Sequence, residues 1–153
     1  MVLDMEKNIH IWTRDGDKWI SNDEYQSSLL FLHRDGGPAL IDADGTKEWW
    51  VDGKRHRLDG PAIESADGSK VWYKDGKLHR IDGPALEFKY GTNQWYVNGE
   101  LHRHDGPAVE GVDGSNAWYL NGGHIPLSWF KENDIDPYNT TKQDLVLIKM
   151  TWG

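Results

Sequence analysis

The chain repeats itself every 23 residues, and this period limits the folds open to it more than any other feature. A His-Arg pair recurs four times, at His33-Arg34, His56-Arg57, His79-Arg80 and His102-Arg103. A Gly-Pro-Ala block follows each pair, with its proline at Pro38, Pro61, Pro84 and Pro107. Four copies without an insertion or a deletion predict that each repeat stacks on its neighbour in a fixed register.

Each repeat also carries two turn pairs, with an aromatic pair between them. The first turn pairs are Asp44-Gly45, Asp67-Gly68, Tyr90-Gly91 and Asp113-Gly114. The aromatic pairs are Trp49-Trp50, Trp72-Tyr73, Trp95-Tyr96 and Trp118-Tyr119. The second turn pairs are Asp52-Gly53, Asp75-Gly76, Asn98-Gly99 and Asn121-Gly122. Asp-Gly and Asn-Gly favour type I′ hairpin turns, because both central residues of such a turn need a positive φ. The repeats are therefore predicted to be antiparallel β-hairpins.

The turn position predicts which residues share a face of the sheet. If Asp44-Gly45 is a two-residue loop, Leu40 lies opposite Trp49. The predicted core face then holds Leu40, Ile63, Leu86, Val109, Trp49, Trp72, Trp95, Trp118, Val51, Val97 and Leu120. The opposite face, here named the Tyr/Glu ladder, holds Trp50, Tyr73, Tyr96, Tyr119, Glu64, Glu87 and Glu110. Ala39, Ala62, Ala85 and Ala108 leave room beside the ladder rings, with Ala39 opposite Trp50. A register slip of one residue would exchange the two faces.

The segments on either side of the repeats are expected to close the sheet. Residues 1–32 contain a degenerate hairpin around Asp15-Gly16, predicted to be an N-terminal cap. A short helix is predicted over 126–133. A capping box of Thr140 and Gln143 predicts a second helix, with Leu145, Ile148 and Trp152 on one stripe. We expect the division 1–32, 33–125 and 126–153, all within one structural domain.

Composition excludes several classes of function. The net charge is −8 and the isoelectric point is near 5.3, so nucleic-acid binding by phosphate neutralisation is not expected. The same charge opposes attraction to an anionic membrane. The absence of cysteine excludes thiolate chemistry. The first six residues lack the basic and apolar regions of an export signal, so a cytoplasmic location is expected.

The recurring histidines are interpreted as structural. Equivalent positions in neighbouring repeats are at least two strands, or about 10 Å, apart. One metal ion cannot join ligands at that distance through bonds of about 2.1 Å. Each histidine is expected to stack on a tryptophan and to hydrogen-bond to backbone, with His104 and His124 on the surface. We expect no metal and no cofactor.

The segment from each His-Arg pair to its Gly-Pro-Ala block is here named a corner. Three corners contain an aspartate, at Asp59, Asp82 and Asp105. The first corner has Asp35 one position earlier and Gly36 in the aspartate's place. We interpret the arginines and aspartates of the corners as charge-assisted hydrogen-bond pairs that hold each turn to the next. The alternative is a row of arginines that binds a small anion such as a nucleotide: Arg34, Arg57, Arg80 and Arg103.

Catalysis is not expected from this sequence. Glu64, Glu87 and Glu110 recur because the repeat recurs, and no carboxylate pair is set apart. The sequence also lacks a Gly-rich phosphate loop, a nucleophile elbow and a zinc-protease helix motif.

The period and the second turn resemble those of the MORN repeat family. The family has units of about 23 residues with an Asn-Gly-Lys-x-His turn, which matches 52–56, 75–79 and 98–102 here. The resemblance covers residues 33–125. This chain differs in having arginine after each histidine and in its Asp-Gly-Pro-Ala block. Similar MORN-variant arrays occur in uncharacterised phage and bacterial proteins.

The resemblance implies an elongated, twisted antiparallel sheet. Together with the predicted caps, the expected fold is mainly β: an open sheet of four hairpin repeats with a degenerate N-terminal hairpin and a helical C-terminal cap. The resemblance also implies a role in protein scaffolding, dimerisation or phospholipid contact, without catalysis by the repeat. We therefore expect a protein-binding module, in a phage setting an inhibitor or adaptor acting on a host protein in the host cytoplasm. The expected contact surface is the Tyr/Glu ladder, which could equally form a homodimer. Acidic mimicry of nucleic acid is a further alternative.

Overall fold

The computed structural model describes residues 7–153, apart from the side chains of Lys7, Asn8, Asn22 and Asp23. The predicted absence of an export signal concerns residues 1–6, which lie outside the described part. The protein is mainly β, with short antiparallel strands and few helices. It divides into two compact bodies, Met1–Lys77 and Leu78–Gly153. Over residues 7–153, no helix is long and apolar enough to cross a bilayer.

The N-terminal body contains nine strands and one α-helix among its described residues. Its elements are β1 (Lys7–Thr13), β2 (Gly16–Ser21), α1 (Asn22–Ser28), a 3₁₀ helix (Leu29–Phe31), β3 (Leu40–Ile41), β4 (Lys47–Glu48), β5 (Trp50–Val51), β6 (Lys54–Arg55), β7 (Ile63–Glu64), β8 (Lys70–Val71) and β9 (Tyr73–Lys74). Its main sheet has the order β2-β1-β3-β4-β7-β8, and β5 and β6 form a separate two-stranded ribbon. Strand β10 (Lys77–Leu78) lies at the boundary of the two bodies.

The C-terminal body uses the same hairpins and ends in two helices. Its elements are β11 (Leu86–Glu87), β12 (Asn93–Gln94), β13 (Tyr96–Val97), β14 (Glu100–Leu101), β15 (Val109–Glu110), β16 (Asn116–Leu120), β17 (Gly123–Ile125), α2 (Leu127–Glu132) and α3 (Lys142–Trp152). Its main sheet has the order β11-β12-β15-β16-β17, and β13 pairs with β14 in a ribbon.

The first turn of each repeat is one residue longer than predicted. Leu40 pairs with Glu48, not with Trp49. The Asp42 N–H donates to the carbonyl of Thr46, and the Gly45 N–H donates to that of Asp42. Only Gly45 of the loop has a positive φ, at 90°. The loop is therefore a three-residue turn with a glycine bulge, which moves the register by one residue.

This shift changes the predicted faces. The apolar face of the N-terminal sheet holds Leu40, Glu48, Ile63 and Val71, and its C-terminal counterpart holds Leu86, Gln94, Val109 and Ala117. The prediction that Leu40, Ile63, Leu86 and Val109 lie opposite Trp49, Trp72, Trp95 and Trp118 is therefore wrong. The prediction that Ala39 lies opposite Trp50 is wrong for the same reason.

The second turn is a type I′ turn, as predicted. Asp52 and Gly53 both have a positive φ, and Val51 pairs with Lys54 across them. Trp49 lies between β4 of the main sheet and β5 of the ribbon. Its N–H donates to the carbonyl of Ala62 just before β7, and its carbonyl accepts from the N–H of His56 just after β6.

Each body has its own apolar core. Its residues lie mostly far, in sequence, from the boundary between the two bodies. The N-terminal cluster comprises Ile9, Ile11, Ile20, Leu32, Ala39, Leu40 and Trp50, with Tyr25 and Leu29 packed against it. The C-terminal cluster comprises Trp118, Leu120, Ile125, Phe130, Ile135 and Ile148, with Trp129, Leu145 and Trp152 packed against it. Ile63, Leu86 and Val109 are only half-buried. The flanking hairpin and helices therefore supply much of the burial that the repeats lack.

The C-terminal helices lie close to where the sequence places them. Helix α2 occupies the predicted 126–133 segment, with Pro126 at its N-cap and Asn133 at its C-cap. Helix α3 begins after Thr141, whose hydroxyl accepts the N–H of Asp144. The predicted capping box of Thr140 and Gln143 is therefore wrong by one residue. An aspartate carboxylate interacts more favourably with the positive end of a helix than the neutral Gln143 would, which favours the observed pair.

Replacing Gly53 by alanine should destabilise the protein more than the same change at Gly76. Both glycines are the second residue of a type I′ turn, with φ of 70° and 78°. Each alanine therefore costs about 1–2 kcal/mol for its left-handed backbone. A Cβ on Gly53 would also lie 2.6 Å from the carbonyl oxygen of Leu30, whereas one on Gly76 meets only the Lys54 side chain at 3.6 Å. In urea denaturation, the free energy of unfolding of Gly53→Ala should be at least about 1 kcal/mol lower than that of Gly76→Ala. Equal losses would contradict the close approach.

Candidate binding site: the corner grooves

Each corner is organised around its arginine, and three of these arginines lie over a tryptophan ring. The guanidinium carbon of Arg57 is 4.0 Å from the ring centroid of Trp49, and that of Arg103 is 3.9 Å from the ring of Trp95. The opposite face of the Arg57 guanidinium is covered by Gly60, where a Cβ would lie 2.9 Å from the arginine Cζ. The corner therefore needs glycine at this position because a side chain would displace the arginine.

The edge of the guanidinium is held by two carboxylates and a carbonyl. In Arg57, Nε donates to Asp59 at 2.9 Å, and Nη1 donates to the carbonyl of Pro61 and to Glu64. Arg80 and Arg103 make the equivalent bonds, to Asp82, Pro84 and Glu87 and to Asp105, Pro107 and Glu110. The predicted charge-assisted hydrogen bonds between arginine and aspartate are therefore present in three corners, but each lies within one corner and does not join one turn to the next.

The first corner keeps the stack but lacks the carboxylates. The guanidinium carbon of Arg34 lies 4.1 Å from the ring of Trp12, and a Cβ on Gly37 would lie 3.0 Å from it. Nη1 donates to the carbonyl of Pro38. Gly36 and Ile41 occupy the positions that hold aspartate and glutamate in the other corners. Trp12 lies outside the 23-residue register, so the sequence did not indicate this contact.

The corners carry exposed negative charge. The hydrogen bond from Arg57 holds the pKa of Asp59 below its usual range, and Arg80 does the same for the pKa of Asp82. Both carboxylates are 85% exposed, and Asp35 is 94% exposed. In the second, third and fourth corners two carboxylates compensate the arginine charge, so the exposed aspartates give these corners an anionic rim.

A groove lined by residues of two successive corners is present in each body. The N-terminal groove, of about 390 Å³, has Trp49 and Val51 among its lining residues and is flanked by the first and second corners. The C-terminal groove, of about 780 Å³, has Trp95 and Val97 at the equivalent positions and is flanked by the third and fourth corners. One aliphatic side chain stands at each groove: Leu58 is 77% exposed and Ile81 is 85% exposed. Together these features combine apolar surface with an acidic rim.

The recurring histidines hold the next hairpin turn instead of stacking on tryptophan. The N–H of Asp52 donates to Nδ1 of His33, and the same bond joins three further pairs. These pairs are Asp75 with His56, Asn98 with His79 and Asn121 with His102. The predicted hydrogen bond to backbone is confirmed. At Trp49 and Trp95 an arginine, not a histidine, lies over the ring, so the predicted stacking is wrong at these two tryptophans.

The fourth corner contains a second histidine in contact with the first. Nε2 of His102 lies 3.0 Å from Nε2 of His104. Because Nδ1 of His102 accepts the Asn121 N–H, the network places the His102 proton on Nε2, which donates to His104. His104 is exposed, as predicted, and replaces the aliphatic Leu58 and Ile81 of the preceding corners.

The side chains of the Tyr/Glu ladder are not all exposed to solvent. Trp50 is only 6% exposed, and its indole N–H donates to Glu48. Trp50, which the sequence places on the ladder, is therefore buried and does not contribute to an exposed surface. Glu64, Glu87 and Glu110 are bonded to the corner arginines, and the tyrosines Tyr73, Tyr96 and Tyr119 are half-buried. A binding role for the ladder, and for the arginines as an anion site, stays a prediction.

No family model matches this chain, and neither a curated protein nor a solved structure matches it significantly. Among residues 7–153, no three histidine, aspartate or glutamate side chains lie close enough to hold a metal ion. The grooves were not foreseen from sequence, although Leu58 and Ile81 were visible there as apolar residues in otherwise polar turns.

Replacing Arg57 by lysine should destabilise the N-terminal body more than replacing Arg34 by lysine. Lysine keeps the charge but loses the planar stack and the forked hydrogen bonds. The Arg57 side chain donates to two carboxylates, whereas the Arg34 side chain donates to one backbone carbonyl. A hydrogen bond between charged groups contributes about 1.5–3 kcal/mol, and less where the groups are exposed. We expect urea denaturation to show a larger loss for Arg57→Lys by about 1 kcal/mol or more. Losses that rank the other way would refute this account of the corners.

Replacing His104 by isoleucine should reduce the loss of stability in mild acid. Burial lowers the pKa of His104, with smaller contributions from the charges of His102 and Lys149, and Asp105 acts in the opposite direction. The folded protein thus favours neutral His104, and the unfolded chain binds a proton more readily. This stabilisation is present above the unfolded pKa of about 6.5 and is lost as the pH falls below it.

The free energy of unfolding should be measured at pH 7.5 and 5.5 for both proteins. The other six histidines are common to both, so the difference in pH dependence reports on His104. Isoleucine occupies the same position in the preceding corner, which makes it the matched substitution. An unchanged pH dependence would show that His104 does not contribute.

Proposed function

We propose that this chain is a non-catalytic protein-binding module built as an array of four hairpin repeats of the MORN-like type. In this proposal the first hairpin and the C-terminal helices cap the array. The observation that carries the binding role is the pair of grooves, each with one exposed aliphatic side chain beside an anionic rim. Specific interfaces commonly join apolar anchors to a surrounding polar rim.

The chemistry of the grooves supports a basic partner with apolar side chains. Asp35 and Asp59 flank the N-terminal groove, and Asp82 and Asp105 flank the C-terminal groove. Cationic side chains of a partner can pair with these carboxylates, while an aliphatic or aromatic side chain packs on Leu58 or Ile81. The net charge of −8 adds long-range attraction for such a partner.

The corner grooves support binding better than the Tyr/Glu ladder does. Ladder residues are half-buried or bonded within the protein, whereas Leu58 and Ile81 present their side chains to solvent. A small anion is also less favoured, because three of the four arginines already bond two carboxylates each.

A random-peptide library selected on the immobilised chain tests the proposal. The expected peptides combine Lys or Arg with aliphatic residues, and their binding should weaken as salt rises. The double variant Leu58→Ser/Ile81→Ser should reduce affinity at least about tenfold, which corresponds to about 1.4 kcal/mol. The matched control is Val112→Ser/Met150→Ser, because both of those side chains are exposed but line neither groove.

Methyl and backbone NMR of the bound protein decides between the surfaces. Shifts centred on Leu58, Ile81 and the neighbouring corners would support the grooves. Shifts centred on Tyr73, Tyr96 and Tyr119 would show that the partner binds the Tyr/Glu ladder and would overturn the groove proposal. Selection of acidic peptides only would contradict the proposed partner chemistry.

A further inference from the structure

The four corners provide an internal comparison for the guanidinium of Arg34. In the second, third and fourth corners, Nε donates to an aspartate at 2.9 Å, and Nη1 donates to a glutamate at 2.5–2.9 Å. The aspartate lies two residues after the arginine and the glutamate seven residues after it. Three occurrences show that the guanidinium at this position binds carboxylates, and in two of them it also lies over a tryptophan ring.

The first corner has the same stack without either acid. Gly36 and Ile41 stand at the two positions, and the bond from Nη1 to the Pro38 carbonyl is the one hydrogen bond of the Arg34 side chain among the described residues. Asp35 does not take over this role among the described contacts: its carboxylate is 94% exposed and lies 3.7 Å from Nε2 of His33. The nearby Arg14 is already bonded to Asp52 at 2.6 Å.

The guanidinium of Arg34 also has space beside it. It lines the N-terminal groove. It also lines a second cavity of about 370 Å³, whose other lining residues include Trp12, His33 and Asp17. Trp12 on one face and Gly37 on the other fix the plane of the guanidinium, so its edge faces a ligand without further ordering of the side chain. An oriented arginine fork is well suited to a carboxylate.

We propose that Arg34 anchors a binding site for a carboxylate ligand that takes the place of the missing acids of the first corner. The carboxylate accepts hydrogen bonds from the edge of the guanidinium, and the remainder of the ligand lies in the adjoining cavities. The group can belong to a small organic acid or to an acidic side chain of a protein. The site does not depend on the groove proposal, which concerns a basic partner and the residues Leu58 and Ile81.

The test follows the arginine Nε–H signals by ¹⁵N NMR during titration with sodium acetate and, separately, with a blocked glutamate-containing peptide. The Arg34 signal should shift and saturate, while the signals of Arg57 and Arg103 stay in place because their acids are internal. Tighter binding of the peptide would identify a protein side chain as the source, and tighter binding of acetate would identify a small acid. No saturable shift of Arg34 with either probe would overturn the proposal.

The decisive variant is Ile41→Glu, which supplies the glutamate present at the equivalent position of the other corners. It leaves Arg34 unchanged but should reduce the affinity for acetate at least about tenfold, or about 1.4 kcal/mol. Arg34→Gln should abolish acetate binding at this site. It replaces Ile41→Glu as the test variant if the spectrum of Ile41→Glu is not that of a folded protein. Undiminished binding by both variants would place the carboxylate elsewhere. A Leu58→Ser/Ile81→Ser protein should bind acetate as before, so failure of the groove proposal is distinguishable.

Discussion

The arginine of each corner joins parts of the chain that the strands alone would leave apart. Arg57 lies on a tryptophan eight residues before it, beneath a glycine three residues after it, and bonds a glutamate seven residues after it. Strands of two residues supply few ladder hydrogen bonds, and the half-buried repeat side chains supply little apolar burial. The stacked, charge-paired arginine therefore provides a fixed point at which one hairpin is positioned against the next.

Departures from the repeated pattern mark the places where the corners acquire separate chemistry. In the fourth corner, His104 replaces an aliphatic residue and forms a 3.0 Å hydrogen bond with His102 of the same corner. Gly36 and Ile41 replace an aspartate and a glutamate and leave the first guanidinium without both of its usual acids. The repeat thus provides a standard geometry, and one or two substitutions on it produce a corner with a second histidine and a corner whose arginine bonds no carboxylate among the described residues.

Short-range turn chemistry was the part of the fold that could be predicted from sequence. The Asp52-Gly53 turn and the helix over 126–133 follow from local preferences, and the arginine–aspartate pairs follow from spacing. The Asp44-Gly45 loop was misjudged because the same dipeptide suits a two-residue turn and a three-residue turn with a glycine bulge. Trp12 under Arg34 and the grooves could not be predicted, because they depend on contacts between segments that share no period.

The histidine bonds have a consequence for how the array can change in length. Each joins a ring nitrogen to the N–H of a residue 19 positions later, as in His33 with Asp52 and His79 with Asn98. Every such contact therefore lies within one period, and none spans the array. An in-frame duplication or loss of 23 codons rejoins equivalent residues and recreates the same bonds at the junction. Genes of this kind can accordingly gain or lose whole corners in one event, and each new corner can then diverge independently.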